Sequence, residues 1–311
     1  TTDRTDERTN GRGERPPVLV MPKKDKSKKD GAAAAGKKKG KGGGGKKEKA
    51  VKQEAAPAAP AADAAAKAAV RTHKLSSGDK RIPAMGVGLW QVPKAAVAEV
   101  LDAAFEAGVR HIDGASNYLN EDAVGDALSA AIAAGKVTRD DVFLTGKVNN
   151  PYHRRQHVEP HVRKSLLDLN VEYVDLLLMH WPIAFQYVPY DPSRRGYDAS
   201  YDPDGLTKID LSEYGGSKIA DVSVKECWQA MEELYDAGVA KAIGVSNFTV
   251  ELLQELLGYA RVKPAVVQVE AHPYLQQWDL LELCRANDIV MEAYSALGTP
   301  GFEFGQRDKP H

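Results

Sequence analysis

Cysteine is scarce in this chain, and its two thiols have none of the spacings that metal or redox chemistry requires. Cys227 and Cys284 are the only cysteines among 311 residues, and each lies inside a helix-like pattern. Because there is no CxxC pair and no Cys/His ligand set, the sequence argues against a disulfide scaffold and a zinc site. We therefore expect reduced, packed thiols in a cytoplasmic protein, and no metal.

Long apolar runs are also missing. No segment approaches the ~20 consecutive apolar residues that a membrane-spanning helix needs, and the first residues lack the pattern of a secretory leader. Hydrophobic residues nevertheless make up 43% of the chain, which is enough for one large core or for two ordinary domains.

Large apolar side chains are rare in the first 71 residues. Residues 31–45 are Gly, Ala and Lys, and residues 55–69 are rich in Ala and Pro. Such a composition cannot offset the entropy of ordering the chain, so we predict a disordered extension over residues 1–71. Met21 opens a new composition, which leaves open whether the natural chain begins there.

Charge is unevenly divided between this extension and the rest of the chain. Residues 21–49 hold 12 Lys against 3 acidic residues, a local net charge of +9, whereas the other 282 residues carry −10. Lysines at this density suit an acidic polymer such as RNA, tubulin tails or an anionic membrane surface, and they equally suit a solubilising segment without a partner. No aromatic residue interleaves them, so contact with RNA would involve its backbone alone.

From residue 72 onward, short apolar runs alternate with amphipathic stretches, as is typical of βαβ units around a parallel sheet. A small hairpin with its turn at Ser77-Gly78-Asp79 comes first. We predict seven strands, at Ile82–Leu89, Arg110–Asp113, Val142–Lys147, Val174–His180, Ala242–Ser246, Ala265–Glu270 and Ile289–Tyr294. The predicted helices include Lys94–Glu106, Glu121–Ala134, Val158–Leu169, Val224–Tyr235 and Glu251–Tyr259.

This pattern predicts an α/β fold, a TIM (β/α)8-type barrel over residues 72–311 whose last βα unit is absent from this chain. Without an eighth strand, the first and seventh strands would have open edges. We expect the natural chain to continue beyond His311, since the sequence stops without a terminating helix; the alternatives are a partner that covers the gap or an impaired fold. We expect a monomer or a weak dimer.

Every predicted strand is followed by polar or aromatic residues, and parallel strands bring these ends to the face of a barrel where chemistry occurs. In chain order they are Trp90, Asp113 with Tyr118, Lys147, His180 with Trp181, Ser246 with Asn247, Gln268 with Glu270, and Tyr294 with Ser295. Any one of them alone is explained most simply as a solvated or packed side chain. Polar or aromatic residues after all seven predicted strands, on one face of the barrel, together predict a functional site.

Four of these side chains have the chemistry of an acid catalyst. A tyrosine with its ordinary pKa near 10 is a poor acid at neutral pH unless its phenolate is stabilised, and the ammonium of Lys147 would do this for Tyr118. A carboxylate at Asp113 would keep that lysine charged, and His180 would orient a substrate carbonyl.

A second group suits a flat ligand that carries an amide. The hydroxyl of Ser246 and the amides of Asn247 and Gln268 match a carboxamide, and the face of Tyr294 suits stacking on an aromatic ring.

Four segments resemble the aldo-keto reductases, and the resemblance extends from about residue 72 to the end. They are HIDGASNYLNEDAVGDAL (111–128), VDLLLMHWPIAF (174–185), IGVSNF (243–248) and VKPAVVQVEAHPYLQQ (262–277). Within the family the chain is most similar to the xylose (aldose) reductases, through HWPIAFQYVP, NNPYH and the long loop after the fourth strand. The resemblance implies a barrel enzyme that reduces an aldehyde or ketone with NADPH, NADH being an alternative.

The resemblance also implies roles for individual residues. The catalytic tetrad would be Asp113, Tyr118, Lys147 and His180, with Tyr118 as the proton donor. Nicotinamide contacts would come from Ser246, Asn247, Gln268 and Tyr294, and pyrophosphate contacts from Ser295, Leu297 and Thr299. The substrate pocket would be lined by Trp90, Trp181 and Asn149.

Two departures from the family pattern affect the ligands. The family usually has an apolar residue and then a tryptophan after the catalytic lysine, whereas Val148 and Asn149 follow Lys147 here, which removes apolar area from the pocket wall. The family's basic and hydroxyl cluster for the adenosine 2′-phosphate has no counterpart in the 311 residues. The sequence therefore leaves both NADPH and NADH open.

A second function remains open beside the enzymatic one. A reductase-like domain with a structural role could be anchored by its basic extension in a large cytoskeletal, ciliary or RNA-containing assembly. The presence of all four catalytic residue types favours the enzyme. We expect a cytoplasmic location, with cytoskeletal or ciliary association through the extension as the alternative.

Overall fold

A computed structural model describes residues 71–77, 80–188, 195–196 and 219–298. Several sequence predictions fall outside these ranges: nearly all of the extension over residues 1–71, Gly78 and Asp79 of the hairpin turn, most of the long loop after the fourth predicted strand, and Thr299.

Nine strands and six α-helices occur in the described part of the chain. The strands are β1 (Thr72–Lys74), β2 (Arg81–Pro83), β3 (Gly86–Gly88), β4 (His111–Asp113), β5 (Phe143–Val148), β6 (Leu176–Met179), β7 (Ile243–Ser246), β8 (Val266–Glu270) and β9 (Val290–Tyr294). The helices are α1 (Lys94–Glu106), α2 (Glu121–Ala133), α3 (Arg155–Leu169), α4 (Val224–Asp236), α5 (Val250–Leu257) and α6 (Trp278–Ala286).

Strands β3 to β9 form one seven-stranded parallel sheet in chain order, with one α-helix between each pair of successive strands. This is the α/β barrel architecture that the sequence predicts. Its register places Gly88 opposite Asp113, Ser246 opposite Gln268, and Glu270 opposite Tyr294. The carboxyl ends of the strands therefore share one rim. Among the described residues, β3 and β9 each pair with a single neighbour, so the ring of strands is not closed there.

The prediction of one strand over Ile82–Leu89 is wrong, because two strands occupy that range. β2 pairs antiparallel with β1, and β3 begins the parallel sheet. The chain changes partner at Pro83, which has no backbone N–H to extend a ladder. Beyond it, Gly86 lies so close to His111 that a Cβ there would be 2.8 Å from the imidazole Nδ1, so only glycine fits this first parallel pairing.

The hairpin of β1 and β2 fills the amino-terminal end of the barrel. Its two apolar side chains, Leu75 and Ile82, are almost fully buried and join a cluster that includes Phe143, Leu176 and Val266. These last three are each the first residue of a strand. Burial of each large apolar side chain contributes about 1.5–3 kcal/mol. This hairpin plug, formed by Leu75 and Ile82, thus packs at the end of the sheet opposite the carboxyl rim.

The helices cover the outer face of the sheet. In α1 the residues Val97, Leu101 and Phe105 recur every four positions and are all buried, which gives the helix one apolar face. The helix-like pattern around Cys284 corresponds to α6, although the start of this helix has no recognisable signal in the sequence. Its N-cap residue, Gln277, has a left-handed φ of 55° and makes no side-chain cap hydrogen bond.

The two cysteines are free and buried, as expected, Cys227 in α4 and Cys284 in α6. Within the described ranges, no group of three or more His, Cys, Asp or Glu side chains could hold a metal ion. Over the same residues, no helix is long and apolar enough to cross a membrane.

Candidate active site

Three of the four predicted catalytic side chains are joined by hydrogen bonds at the carboxyl rim. Nζ of Lys147, at the end of β5, lies 2.6 Å from Oδ1 of Asp113, the last residue of β4. The same ammonium donates to the hydroxyl of Tyr118 at 3.2 Å and to the carbonyl oxygen of Gly114 at 3.0 Å. All three N–H groups of the lysine therefore have an acceptor.

Tyr118 is held in place by a tight turn between β4 and α2. It ends a one-turn 3-10 helix, Ser116–Tyr118, and Leu119 after it has a left-handed φ of 62°. The next residue, Asn120, is buried and donates from Nδ2 to the carbonyl oxygens of Leu89 and Val92, both at 2.9 Å. These bonds tie the turn to the end of β3, so the phenol has a defined position.

The His180 ring packs edge-on against the Tyr118 ring. The two ring centroids are 5.9 Å apart at an interplanar angle of 78°. His180 follows β6 and is buried, and its backbone carbonyl accepts a hydrogen bond from Nδ2 of Asn247 at 2.8 Å. The structure thus brings Asp113, Tyr118, Lys147 and His180 to one place.

The acid–base state of Lys147 follows from its surroundings. Burial acts to lower its pKa, but the charge and hydrogen bond of Asp113, together with Tyr118, outweigh it, so the pKa lies above its ordinary value of 10.5. The lysine is therefore an ammonium at any physiological pH.

Tyr118 and His180 are both uncharged at neutral pH. Burial raises the pKa of Tyr118 above 10 even though Lys147 acts in the opposite direction. Burial therefore outweighs the stabilisation of the phenolate by Lys147 that the residue types predict. Burial lowers the pKa of His180 well below 6.5, and the charge of Lys147 adds to this effect. Nδ1 of His180 is buried and has no hydrogen-bond partner among the described residues.

The residues predicted to bind nicotinamide form a second hydrogen-bonded group beside the first. The Tyr294 hydroxyl donates to Oδ1 of Asn247 at 2.7 Å, and Nδ2 of Asn247 lies 3.1 Å from Oγ of Ser246. Nε2 of Gln268 donates to Oδ2 of Asp113 at 2.8 Å, which connects the two groups.

A cavity of about 640 Å³ adjoins this second group. Asn247 and Tyr294 form part of its wall, together with Trp181, Gln277 and Trp278. Its volume is in the range of ordinary ligand sites.

Four further predicted ligand contacts are among the described residues, each shortly after the end of a strand. Trp90 and Trp181 are 45% and 38% exposed, and Trp181 lines the cavity. Ser295 has a left-handed φ of 50° directly after β9, and Leu297 is exposed near the end of the described residues.

Asn149 directly follows β5 and is buried. Its Oδ1 accepts from the N–H of Asn150 at 2.8 Å and caps the short 3-10 helix Asn150–Tyr152. Its own N–H donates to Nε2 of His161 at 3.3 Å, and that imidazole stacks on Tyr152. A polar network thus occupies the position where the family pattern has an indole.

Sequence reasoning missed one acidic side chain near the tetrad. Glu292, in β9, has Oε1 3.9 Å from Nε2 of His111, and the strand register pairs it with Gln268 of β8. A signal was available, because side chains two residues apart in a strand share a face, and Glu292 stands two before Tyr294. His111 was missed as well; it is buried in β4, with Nε2 2.9 Å from Oγ1 of Thr145.

In enzymes with a parallel α/β barrel, the active site lies at the carboxyl ends of the strands. The buried lysine of this chain, between a carboxylate and a phenol, lies at that place. Comparisons with known proteins identify the family. The family model described as Aldo/keto reductase family matches residues 84–311. The chain belongs to the aldo/keto reductase family, whose members are oxidoreductases, as the sequence motifs predicted.

Curated relatives agree with this assignment. The chain is 43% identical over 232 residues to an NAD(P)H-dependent D-xylose reductase of Pyricularia oryzae, covering 75% of this chain and 68% of that protein. It is 44% identical over 231 residues to aldose reductase B of Dictyostelium discoideum, covering 73% and 70%. An NADPH-dependent aldose reductase of Saccharomyces cerevisiae is 39% identical over 222 residues, covering 71% and 66%. The chain spans about two thirds of the length of these relatives.

Proposed function

We propose that this protein reduces an aldehyde or ketone to the alcohol with NADPH, or alternatively NADH, and that Tyr118 donates the proton. The observation that carries the proposal is the buried ammonium of Lys147, which touches both the Asp113 carboxylate and the Tyr118 hydroxyl. The names of the relatives support it, since they are reductases of xylose or aldose that use NAD(P)H.

The donor set beside the tetrad fits a nicotinamide dinucleotide. Ser246, Asn247 and Gln268 offer amide and hydroxyl groups for a carboxamide, and Tyr294 offers an aromatic face at the cavity. We propose that Ser295, Leu297 and Thr299 lie along the pyrophosphate. The dinucleotide, when bound, supplies the hydride.

The side chains of this protein would handle the carbonyl oxygen and its proton. We propose that neutral His180 donates a hydrogen bond to the oxygen and so orients the carbonyl toward Tyr118. Tyr118 then gives its proton to the oxygen as negative charge develops there. The ammonium of Lys147 stabilises the resulting phenolate, and Asp113 keeps that ammonium charged and in position.

The names of the relatives support a substrate class. We propose an aldose or a small carbonyl compound as the substrate, with Trp90 and Trp181 lining its pocket through their exposed indoles. Asn149 would contribute to the pocket wall indirectly, because its Oδ1 accepts the hydrogen bond that holds Asn150 in place.

The substitution Tyr118→Phe tests the proposed reaction. It removes one hydroxyl, so we expect folding and cofactor affinity to change little and turnover to fall by about 10²–10⁴, the usual contribution of a positioned acid. The measurements are NADPH oxidation with an aldose or a small aromatic aldehyde, circular dichroism for folding, and fluorescence for NADPH binding.

Tyr173→Phe is the matched control. It removes an equivalent hydroxyl, whose partner is Asp140, at the opposite end of the barrel just before β6, and it should keep full turnover. If the unmodified protein binds NADPH yet oxidises it no faster than Tyr118→Phe with any of these aldehydes, the proposal is wrong.

We also propose that the lysine-rich segment 21–49 binds an acidic polymer such as RNA or tubulin tails, or an anionic membrane surface. Its net charge of +9 supports this role. Such binding would add a cytoskeletal or ciliary association to the cytoplasmic location that we propose for the barrel, whose described cysteines are unpaired.

A further inference from the structure

The reaction proposed above assigns no role to Glu292, although its carboxyl group lies near the catalytic side chains. It lies in β9, where the parallel register places it beside Gln268 of β8. Its side chain is only 20% exposed, and Oε2 is fully buried and has no hydrogen-bond partner among the described residues. A carboxyl group in such a place needs a physical reason, because burial of an unpaired charge is costly.

The side chain of Gln268 connects this place to the tetrad. Gln268 is the register partner of Glu292 on the neighbouring strand β8, and its Nε2 donates to Oδ2 of Asp113 at 2.8 Å. Two carboxyl groups therefore lie on either side of one neutral amide, and both feel the charge of Lys147. The lysine is 2.6 Å from Asp113, so its charge is already compensated there. The second carboxyl group has no cation of its own in the described cluster.

The other groups around Glu292 do not neutralise it. From β4 the imidazole of His111 faces it at 3.9 Å, and burial lowers the pKa of that imidazole to about 4, so it is uncharged. Tyr118 is uncharged at neutral pH, and so is Tyr294 on the same strand. Burial and the charge of Asp113 raise the pKa of Glu292 to about 8. Glu292 is thus a neutral acid at pH 7 and becomes a carboxylate in mildly alkaline solution.

We propose that Glu292 is a positioning residue that tunes the acidity of Tyr118 through Asp113 and Lys147, and that its ionisation keeps the tyrosine protonated, and reduction active, in alkaline solution. The proposal rests on the function proposed above. The sign follows from electrostatics: a second negative charge near Tyr118 disfavours the phenolate and so raises its pKa. Reduction requires the protonated phenol, so the alkaline fall in turnover moves to higher pH when Glu292 is present.

The experiment compares the full chain with Glu292→Gln, which keeps the shape of the side chain and removes its charge. We expect the alkaline limb of kcat/KM for aldehyde reduction to move to lower pH in Glu292→Gln, with little change at pH 6. Glu282→Gln, on the exposed face of α6, is the matched control and should leave the profile unchanged. Superimposable profiles for Glu292→Gln and the unmodified protein would overturn the proposal.

A second measurement does not depend on turnover. The infrared difference between the unmodified protein and Glu292→Gln should show the carbonyl band of a protonated carboxylic acid that disappears near pH 8. In Asp113→Asn the same band should disappear at lower pH, because the neighbouring negative charge is gone. A band already absent at pH 6 in the unmodified protein would overturn the proposal. If no aldehyde is reduced, the proposed function fails, and the infrared titration still decides whether Glu292 is coupled to Asp113.

Discussion

At the scale of single residues, the site depends on a full charge placed where water does not reach. The side chain of Lys147 is completely buried and is stable as an ammonium only because Asp113, Tyr118 and Gly114 accept its three N–H groups. Its raised pKa means that the pair stabilises the folded protein throughout the range below about pH 10 and loses this effect only in stronger alkali.

Asp113→Asn should therefore destabilise the protein strongly at pH 7. Loss of one partner leaves a buried charge uncompensated, which costs about 3–5 kcal/mol. The burial of Lys147 then lowers its pKa, so the unfolded chain binds more protons than the folded chain and the stability of the variant rises with pH toward about 10. Urea unfolding between pH 6 and 10 measures both effects.

The control for this prediction is Asp102→Asn. It makes the same change in the Asp102–Lys136 pair, whose two side chains are 50% and 40% exposed. Solvent screens that pair, so we expect little change in stability at any pH in the series. Equal losses for the two variants would contradict our account of Lys147.

At the scale of elements, close packing between two helices can require a glycine at a position where helix propensity disfavours it. Gly125 lies in the middle of α2, where glycine costs about 1 kcal/mol relative to alanine. The reason for it is the close approach of α3: a Cβ at this position would lie 2.3 Å from the carbonyl oxygen of Asp168 and 2.6 Å from the carbonyl carbon of Leu169. Backbone atoms cannot yield as a flexible side chain can.

Gly125→Ala should thus destabilise the protein even though it favours the helix. We expect a net loss of about 2 kcal/mol, since overpacking against backbone exceeds the gain in propensity. Gly88→Ala is the control, because an added Cβ there meets no atom within 4 Å, and it should change stability by less than about 0.5 kcal/mol. Urea midpoints measure both, and a stabilised Gly125→Ala would refute the packing argument.

At the scale of the whole molecule, the parallel order of the strands makes one site out of residues far apart in the sequence. Asp113 and Gln268 are 155 residues apart in the chain and are joined by a single hydrogen bond. The hairpin plug fills the opposite end of the barrel, so the two ends of the strands differ in chemistry.

The lysine-rich segment belongs to this scale too, because its proposed action is electrostatic. Binding of the full chain to a fluorescent oligouridine should weaken by about 10³-fold between 50 and 200 mM salt, as counterion release requires. Anisotropy titrations measure this, and a chain without residues 21–49 should bind at background level. An affinity that does not change with salt concentration, or that is unchanged by the deletion, would exclude an electrostatic role for the segment.

The sequence by itself determined the barrel and the members of its rim. Apolar runs alternating with amphipathic stretches are a local signal, and the polar residue at each strand end becomes a site as soon as the strands are parallel. For this reason Asp113, Tyr118, Lys147 and His180 could be named without coordinates. The cysteines could be assigned as buried thiols on the same basis.

Only the tertiary structure decided what depends on distance and burial. The division of Ile82–Leu89 into two strands follows from which neighbour each half meets, and the sequence holds no local signal for that choice beyond Pro83. The pKa of Tyr118 is a balance between desolvation, which raises it, and Lys147, which lowers it, and residue types alone do not give its sign. Glu292 joins the cluster because β9 lies beside β8, and a contact between residues on different strands is a property of the folded barrel.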